Sequence, residues 1–407
     1  MSKLRKGNRA LIKDMNRSLV INTIRKDGPT SRTDISNQTG LGLSTITKII
    51  DELSNHNLVY ETGAATSTGG RRPILLEFNQ KSGHAIGIKI MQDHLILALT
   101  DLDATIIDSL EIYFHNKEDT NHIIELIVSN THKLLAQNNL NEEHLEGIGI
   151  AVSGLIDSQR GIVVRSSLLG WEEVNICDPI NKAFQTPTFI DNDVNAYTLA
   201  EIEKGYGNTH ENFICLSIGD GIGASIVINK KIYIGEFGGA GEFGHMIIQM
   251  DGRRCHCGQK GCLEVYASNK ALEIEAATLL PMYSNSLLQN KTINFEETYD
   301  AALKGDPLAK TLFKKLGDYL GIGLINAINS FNPGTIVLIG EGMIAGEFFV
   351  PKAIEKAREN FFHSARYDTK VVTSSLGNDA WVKGAALLAI DQLFQPPIYE
   401  QATSLIN

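Results

Sequence analysis

The run Cys255-His256-Cys257-Gly258-Gln259-Lys260-Gly261-Cys262 places three thiols within eight residues. Gly258 and Gly261 let the backbone fold round so that the sulfurs converge. Thiolates at this spacing suit a tetrahedral zinc ion and disfavour hard metals. His256 is the nearest fourth ligand, but its side chain points away if Cys255 and Cys257 both point inward. His245, ten residues upstream in Gly241-Glu242-Phe243-Gly244-His245, folds back through Gly252 and is the chosen ligand. The set His245, Cys255, Cys257 and Cys262 leaves no ligand position open, which predicts one structural zinc ion per chain. Of the five cysteines, Cys177 and Cys215 stand alone in apolar surroundings. An odd, clustered set argues for metal over disulfides.

A second chemistry is carried by the N-terminus. Residues 1–80 hold twelve Lys/Arg against seven Asp/Glu, a net of +5, whereas the whole chain carries −10. A basic head on an acidic body fits nucleic-acid contact confined to that end. Apolar residues at helical spacing over 19–25 predict a helix that Gly28-Pro29 stops. Ser31 caps a short helix, Arg32 to Thr39, with Ile35 inward. Gly40 makes the turn, Leu41 and Leu43 anchor it, and Ser44 occupies the next N-cap. Ile46, Ile49, Ile50 and Leu53 form a buried stripe, leaving Thr45, Thr47 and Lys48 outward. Two strand-like runs, Asn57 to Thr62 and Ile74 to Phe78, flank a Gly-rich tip bearing Arg71 and Arg72. The succession predicts a winged helix-turn-helix. Ser31, Arg32, Ser44, Thr45, Thr47, Lys48, Arg71 and Arg72 are its expected DNA contacts.

The elements that must position these sites follow an α/β rhythm. Strand-like runs occur at His84 to Ile90, His94 to Thr100, Gly147 to Val152, Phe189 to Asp191, Phe213 to Ile218, Gly223 to Ile228 and Thr335 to Ile339. Helical stretches, among them Ile123 to Gln137 and Leu308 to Asn329, separate several of them, which indicates α/β layers. Expected divisions are a reader at 1–80, a first lobe at 81–200 to which a helix near 380–395 returns, and a second lobe at 201–379. The basic start is not followed by the apolar core of a signal peptide. No apolar run approaches the roughly 20 residues of a membrane helix. A cytoplasmic location is expected.

The Glu-Phe-Gly-His segment at 242–245, followed by Cys-x-Cys-Gly-x-x-Gly-Cys-x-Glu at 255–264, resembles the signature of the ROK family of repressors, uncharacterised reading frames and sugar kinases. The resemblance runs over essentially the whole chain and is nearest to its xylose repressors and its glucose- or N-acetylglucosamine-responsive repressors. It implies a two-lobed, actin-like ATPase fold with a sugar held between the lobes, and zinc on His245 and the three cysteines. The sugar contacts it implies are Asn192, Asp193, Glu242, His245 and Glu264, with Gly154 allowing close backbone approach. Asp193 matches the position of the kinases' general base. Taken singly, Asn192 and Asp193 also read as a helix cap, and Glu264 as a helical surface residue.

Kinases of the family carry an Asp-x-Gly-Gly-Thr-Lys-type phosphate loop, where this chain has Gly87-Ile88-Lys89-Ile90-Met91-Gln92-Asp93, with Lys89 in place of the Asp. In Gly219-Asp220-Gly221-Ile222-Gly223 the glycines persist, but Asp220 replaces a Thr. A third segment, Gly340-Glu341-Gly342, is partly retained. Degraded phosphate loops beside a kept sugar pocket predict a sensor that uses no ATP. The expectation is a homodimeric or dimer-of-dimers repressor of carbohydrate-utilisation genes, released from operator DNA by a sugar. The alternatives are a sugar kinase with an appended reader, and a regulator governed by a protein partner.

Overall fold

Asn8 starts helix α1 (Arg9–Asp27) by accepting the Leu11 N–H at 2.9 Å. In this computed structural model the described residues are 5–64, 73–115, 119–360 and 368–396. The two-residue strand β1 (Thr30–Ser31) leads into α2 (Arg32–Thr39). The Ser31 hydroxyl accepts the Asp34 N–H, and the Asp34 carboxylate accepts the Ser31 N–H, a reciprocal cap. Gly40 then takes a left-handed φ of 70°, and α3 (Leu43–Asn55) follows. Ile46, Ile49, Ile50 and Leu53 are buried along one face of α3, as their spacing predicts. Lys13 and Arg17 of α1 pair with Glu52 of α3 at 2.7 and 3.0 Å. Strands β2 (Val59–Ala64) and β3 (Ile74–Phe78) complete an antiparallel sheet in the order β1-β3-β2.

Two expectations for the turn are corrected. Ser44 is not the N-cap: α3 begins one residue earlier, Gly42 occupies the cap, and no side chain bonds there. Leu43 is 53% exposed and anchors nothing. The turn is held from the preceding helix, where the Ser36 hydroxyl donates to the Leu41 carbonyl at 2.6 Å. The Thr39 hydroxyl accepts the Leu41 N–H at 3.3 Å.

The chain divides into two units, Met1–Gly154 with Ser158–Asp191 and Val382–Asn407, and Leu155–Asp157 with Asn192–Trp381. In the first, β4 (His84–Ile90), β5 (His94–Asp101) and β6 (Ile106–Tyr113) form an antiparallel meander. Helix α4 (Thr120–Gln137) leads to β7 (Leu145–Val152), which pairs parallel with β4. The short β8 (Leu155–Asp157) belongs to the second unit. A hairpin, β9 (Ile162–Ser166) and β10 (Trp171–Asn175), and helix α5 (Cys177–Phe184) precede β11 (Thr188–Asn192). The sheet order is β11-β7-β4-β5-β6.

The second unit opens with α6 (Asp193–Lys204) and the strands β12 (Phe213–Ile218), β13 (Ile222–Ile228) and β14 (Lys231–Ile232). Helices α7 (Glu264–Ala267), α8 (Asn269–Leu279), α9 (Phe295–Leu303) and the 25-residue α10 (Pro307–Phe331) follow the cysteine run. Strand β15 (Thr335–Ile339), helix α11 (Gly346–Ala357) and strand β16 (Lys370–Thr373) close a sheet of order β14-β13-β12-β15-β16. Its core packs Phe313 and Phe349, both fully buried, against Phe295. The final helix, α12 (Ala380–Phe394), passes from the second unit into the first after Trp381. Among the described residues no helix is long and apolar enough to cross a membrane.

In the first unit α12 lies against β4 and β7. A Cβ on Gly87 would meet the Val382 carbonyl oxygen at 2.0 Å, and one on Gly149 the Ala385 carbonyl oxygen at 1.8 Å. Helix and sheet approach closely because both strand positions are bare. The last residue of α12 then reaches the reader. The Phe394 ring meets Phe78 of β3 edge-on at 5.4 Å, the Arg25 guanidinium of α1 lies 4.0 Å over it, and Asn22 donates to its carbonyl at 2.9 Å. Phe394 is 2% exposed. Phe394→Ala is therefore expected to cost about 3–5 kcal/mol in the packing of reader on lobe. Limited proteolysis would check it, with the N-terminal segment of the variant cut much faster than that of the parent.

Candidate metal centre and polar cluster

The segment between β14 and α7 has little regular structure, and its backbone is ordered by turns. Gly258 (φ 94°) and Gly261 (φ 81°) adopt the left-handed conformations that an L side chain resists. They permit the bonds Gly258 N–H to Cys255 carbonyl, 3.1 Å, and Gly261 N–H to Arg253 carbonyl, 2.8 Å. A reverse bond, Cys255 N–H to the Gln259 carbonyl at 2.8 Å, closes the loop. Isolated bridges Ile247↔Cys262 and Arg254↔Lys260 fix its two ends. At position 252 a Cβ would collide with the Tyr266 hydroxyl at 2.2 Å, so the return path read from Gly252 does need glycine.

The result gathers the expected ligands. One ligand atom each from His245, Cys255, Cys257 and Cys262 lies within 4.8 Å of all the others. The Cys257 and Cys262 sulfurs are 3.7 Å apart, and His245 Nδ1 is 3.7 Å from the Cys255 sulfur. A tetrahedron with metal–sulfur bonds of about 2.3 Å has edges of about 3.8 Å, so the donor set fits a zinc-sized ion. Burial, joined by neighbouring thiols, pushes the Cys262 thiol up to about 12 and raises Cys255 as well. At Cys257 burial pulls upward too, but the Gln259 backbone amide and the neighbouring thiols outweigh it and lower that thiol. Buried thiols become anions only where a cation is supplied, so metal entry is coupled to proton release.

His256 departs from expectation. It does not turn away from the centre: its ring centroid is 5.3 Å from that of His245, and its Nε2 lies 2.8 Å from Glu264 Oε1. A second set, His245, Cys255, His256 and Glu264, overlaps the first. The imidazole is drawn in because Glu264, at the start of α7, is largely buried and needs a donor. The reading of Glu264 as a plain surface residue fails for the same reason. Its other oxygen accepts the Ile222 N–H at 3.3 Å.

Glu242 stands three residues before His245, 3.9 Å from its Nε2. Desolvation, with a smaller push from the charge of Glu264, raises its carboxyl against the opposing pull of His245. Asn192 caps α6: its Oδ1 accepts the Val194 N–H at 2.9 Å, and Asp193 Oδ1 accepts the same donor at 3.0 Å. The capping role thus holds for both residues. On the same helix Tyr197 reaches Ser374 at 2.9 Å and stacks edge-on with Trp381.

Gly154 lies in the first unit, with φ 133°. A Cβ there would meet the Arg165 carbonyl oxygen at 2.4 Å, so the close approach it allows is to strand β9. Of the expected DNA contacts, Ser31 is the cap that the sequence predicts and is 3% exposed, with its hydroxyl committed to Asp34 at 2.6 Å. Arg32 pairs with Glu61 at 3.2 Å. Ser44, Thr47 and Lys48 are exposed on α3 and Thr45 is half-buried. Arg71 and Arg72 lie outside the described residues. Sequence reading missed Arg253, which bonds the Val265 carbonyl at 3.1 Å, pairs with Glu275 and lies over the Tyr266 ring. Its place beside Gly252 in the returning loop was the available signal.

Two sheet-centred α/β units with a cysteine loop following the β13–β14 hairpin belong to the actin-like ATPase class shared by regulators and sugar kinases. Within that class the chain belongs to the ROK family, whose model matches residues 85–392. It is 33% identical to the xylose repressor of Bacillus spizizenii over 95% of this chain and 97% of that one. It is 30% identical to the DNA-binding transcriptional dual regulator NagC of Escherichia coli K12, over 94% of each. A ROK family transcriptional regulator, a homologue of the E. coli MLC protein, superposes with a TM-score of 0.84 at 30% identity, covering 95% of this chain and 98% of that one. A ROK glucokinase from Streptomyces griseus, solved with glucose and AMPPNP, superposes with a TM-score of 0.64 at 28% identity, over 76% of this chain and all of its own.

Cys257→Ser and His245→Ala are each expected to lower the metal content of the purified protein from about one ion per chain toward none, read by elemental analysis. Cys177→Ser, at a buried thiol outside both sets, should leave it unchanged.

Proposed function

We propose that this chain is a sugar-responsive DNA-binding repressor of carbohydrate-utilisation genes. The observation that carries the reading is coverage. The repressor relatives match 94% or more of the chain, whereas the glucokinase matches 76%. Residues 1–80 act as a winged helix-turn-helix. Arg32, Ser44, Thr45, Thr47 and Lys48 face the major groove, and Arg71 and Arg72 reach phosphates or the minor groove. Residues 81–200, with the returning helix, and 201–379 act as the two lobes of the sensor. The protein works in the cytoplasm as a homodimer or a dimer of dimers, one reader per half-site of a roughly palindromic operator.

One zinc ion on His245, Cys255, Cys257 and Cys262 stiffens the loop and orients His245 beside Glu242. Asn192, Asp193, Glu242, His245 and Glu264 take the sugar, since amides and carboxylates pair with hydroxyls in fixed geometry. Xylose is the first candidate, since relatives at 33% and 32% identity are xylose repressors. No phosphoryl transfer is assigned: Lys89, buried on β4, stands where the kinases' Asp is expected, which supports a sensor over an enzyme. A sugar weakens operator binding tenfold if it prefers the released arrangement by about 1.4 kcal/mol.

Operator binding at fixed salt, titrated with aldoses and amino sugars, tests the reading. Release by one sugar, lost in Asp193→Ala with metal content kept, is the expected result. Tight binding indifferent to every sugar overturns induction and turns attention to a protein partner. Arg71→Ala with Arg72→Ala should weaken binding to all DNA sequences alike and flatten the salt dependence by about one unit of slope per lost phosphate contact.

A further inference from the structure

The loop Gly219-Asp220-Gly221-Ile222, between β12 and β13, has the glycines of a phosphate-binding turn, yet two of its N–H donors face carboxylates of the chain itself, and the Gly219 N–H bonds the Gly221 carbonyl at 3.0 Å. The Asp220 N–H donates to Glu341 Oε1 at 3.0 Å, and the Ile222 N–H to Glu264 Oε2 at 3.3 Å. The Glu341 carboxylate sits so close to the loop that a Cβ on Gly219 would meet its three atoms at 2.0–2.6 Å. Asn269, the first residue of α8, clamps the arrangement. Its side-chain amide donates to Asp220 Oδ1 at 2.6 Å, its N–H donates to the Gly219 carbonyl at 2.9 Å, and its Oδ1 accepts the Phe295 N–H at 2.9 Å. All these residues lie in the second unit.

We propose that Glu341 is an internal stand-in for a phosphate: its carboxylate fills the anion cradle of the 219–222 loop and closes it to nucleotide phosphates. A phosphate entering the loop would have to displace an anion already hydrogen-bonded there. It would also face the negative charges of Asp220 and Glu341 at close range. The residues therefore do not fit a nucleoside triphosphate. Glu341 begins the short 3-10 turn that follows β15, and Gly340 before it has φ 98° and packs against the Ile218 carbonyl. The glycine segment that resembles a third nucleotide motif thus serves to deliver a carboxylate to the second. The inference stands whether or not a sugar is the effector.

The test uses the full chain and three proteins: wild type, Glu341→Ser, and Asp220→Thr with Glu341→Ser. Thermal shift and calorimetry would be read with magnesium pyrophosphate and magnesium AMPPNP at millimolar concentration, with circular dichroism and metal content as checks of folding. The expected result is no response in the wild type and a saturable response, at least tenfold tighter than any wild-type binding, in the folded double variant. If the serine variant does not fold, Glu341→Gln keeps the shape while removing the charge, and a gain of pyrophosphate binding there supports the proposal equally. Nucleotide binding by the wild type as strong as by the variants would overturn it. So would folded variants that remain indifferent to both probes, because Glu341 would then not be the obstacle.

Discussion

Three thiols and an imidazole held within 4.8 Å of one another are stable as ligands only when a cation compensates them. The loop that holds them has no strands or long helices of its own, so its shape depends on turns and on two left-handed glycines. His245 belongs at once to the ligand set and to the turn carrying Glu242, and Glu264 follows the last cysteine by two residues. The candidate ligand set, Glu242 and Glu264 are consequently neighbours in one loop construction.

Glu264 carries this construction outward. One oxygen takes the His256 imidazole and the other the N–H of Ile222, so the cysteine loop is tied to the turn between β12 and β13. That turn is held from its other side by Glu341 and Asn269. In a kinase such a loop must stay free to close on a phosphate. Here the Asp220 and Ile222 N–H groups are bonded to the chain's own Glu341 and Glu264.

The reader is anchored by similar economy. Helix α12 packs against glycines of the first sheet, and its final residue lies between the Arg25 guanidinium and the edge of Phe78. Cation–π and aromatic contacts in a buried setting are directional, so they fix the orientation of α1 and β3 as well as their proximity. The N-terminal helices and β3 thereby share a unit with the first five-stranded sheet.

Local periodicity and punctuation were legible in the sequence. The stripe Ile46, Ile49, Ile50 and Leu53, the Ser31 cap, the Gly40 turn and the runs Phe213 to Ile218 and Thr335 to Ile339 follow from side-chain size and backbone preference over a few residues. The gathering of His245 with the three cysteines was legible too, because cysteine at that spacing has few other uses. Strand β6 was not legible, since its half-exposed alternation is weaker than the continuous apolar runs beside it. The burial of Ser31, the inward turn of His256, the packing of β9 against Gly154 and the meeting of Glu341 with Asp220 were decided by tertiary structure alone. Each depends on a partner distant in sequence or on a choice between rotamers, and neither spacing nor residue type records which group will fill the space opposite.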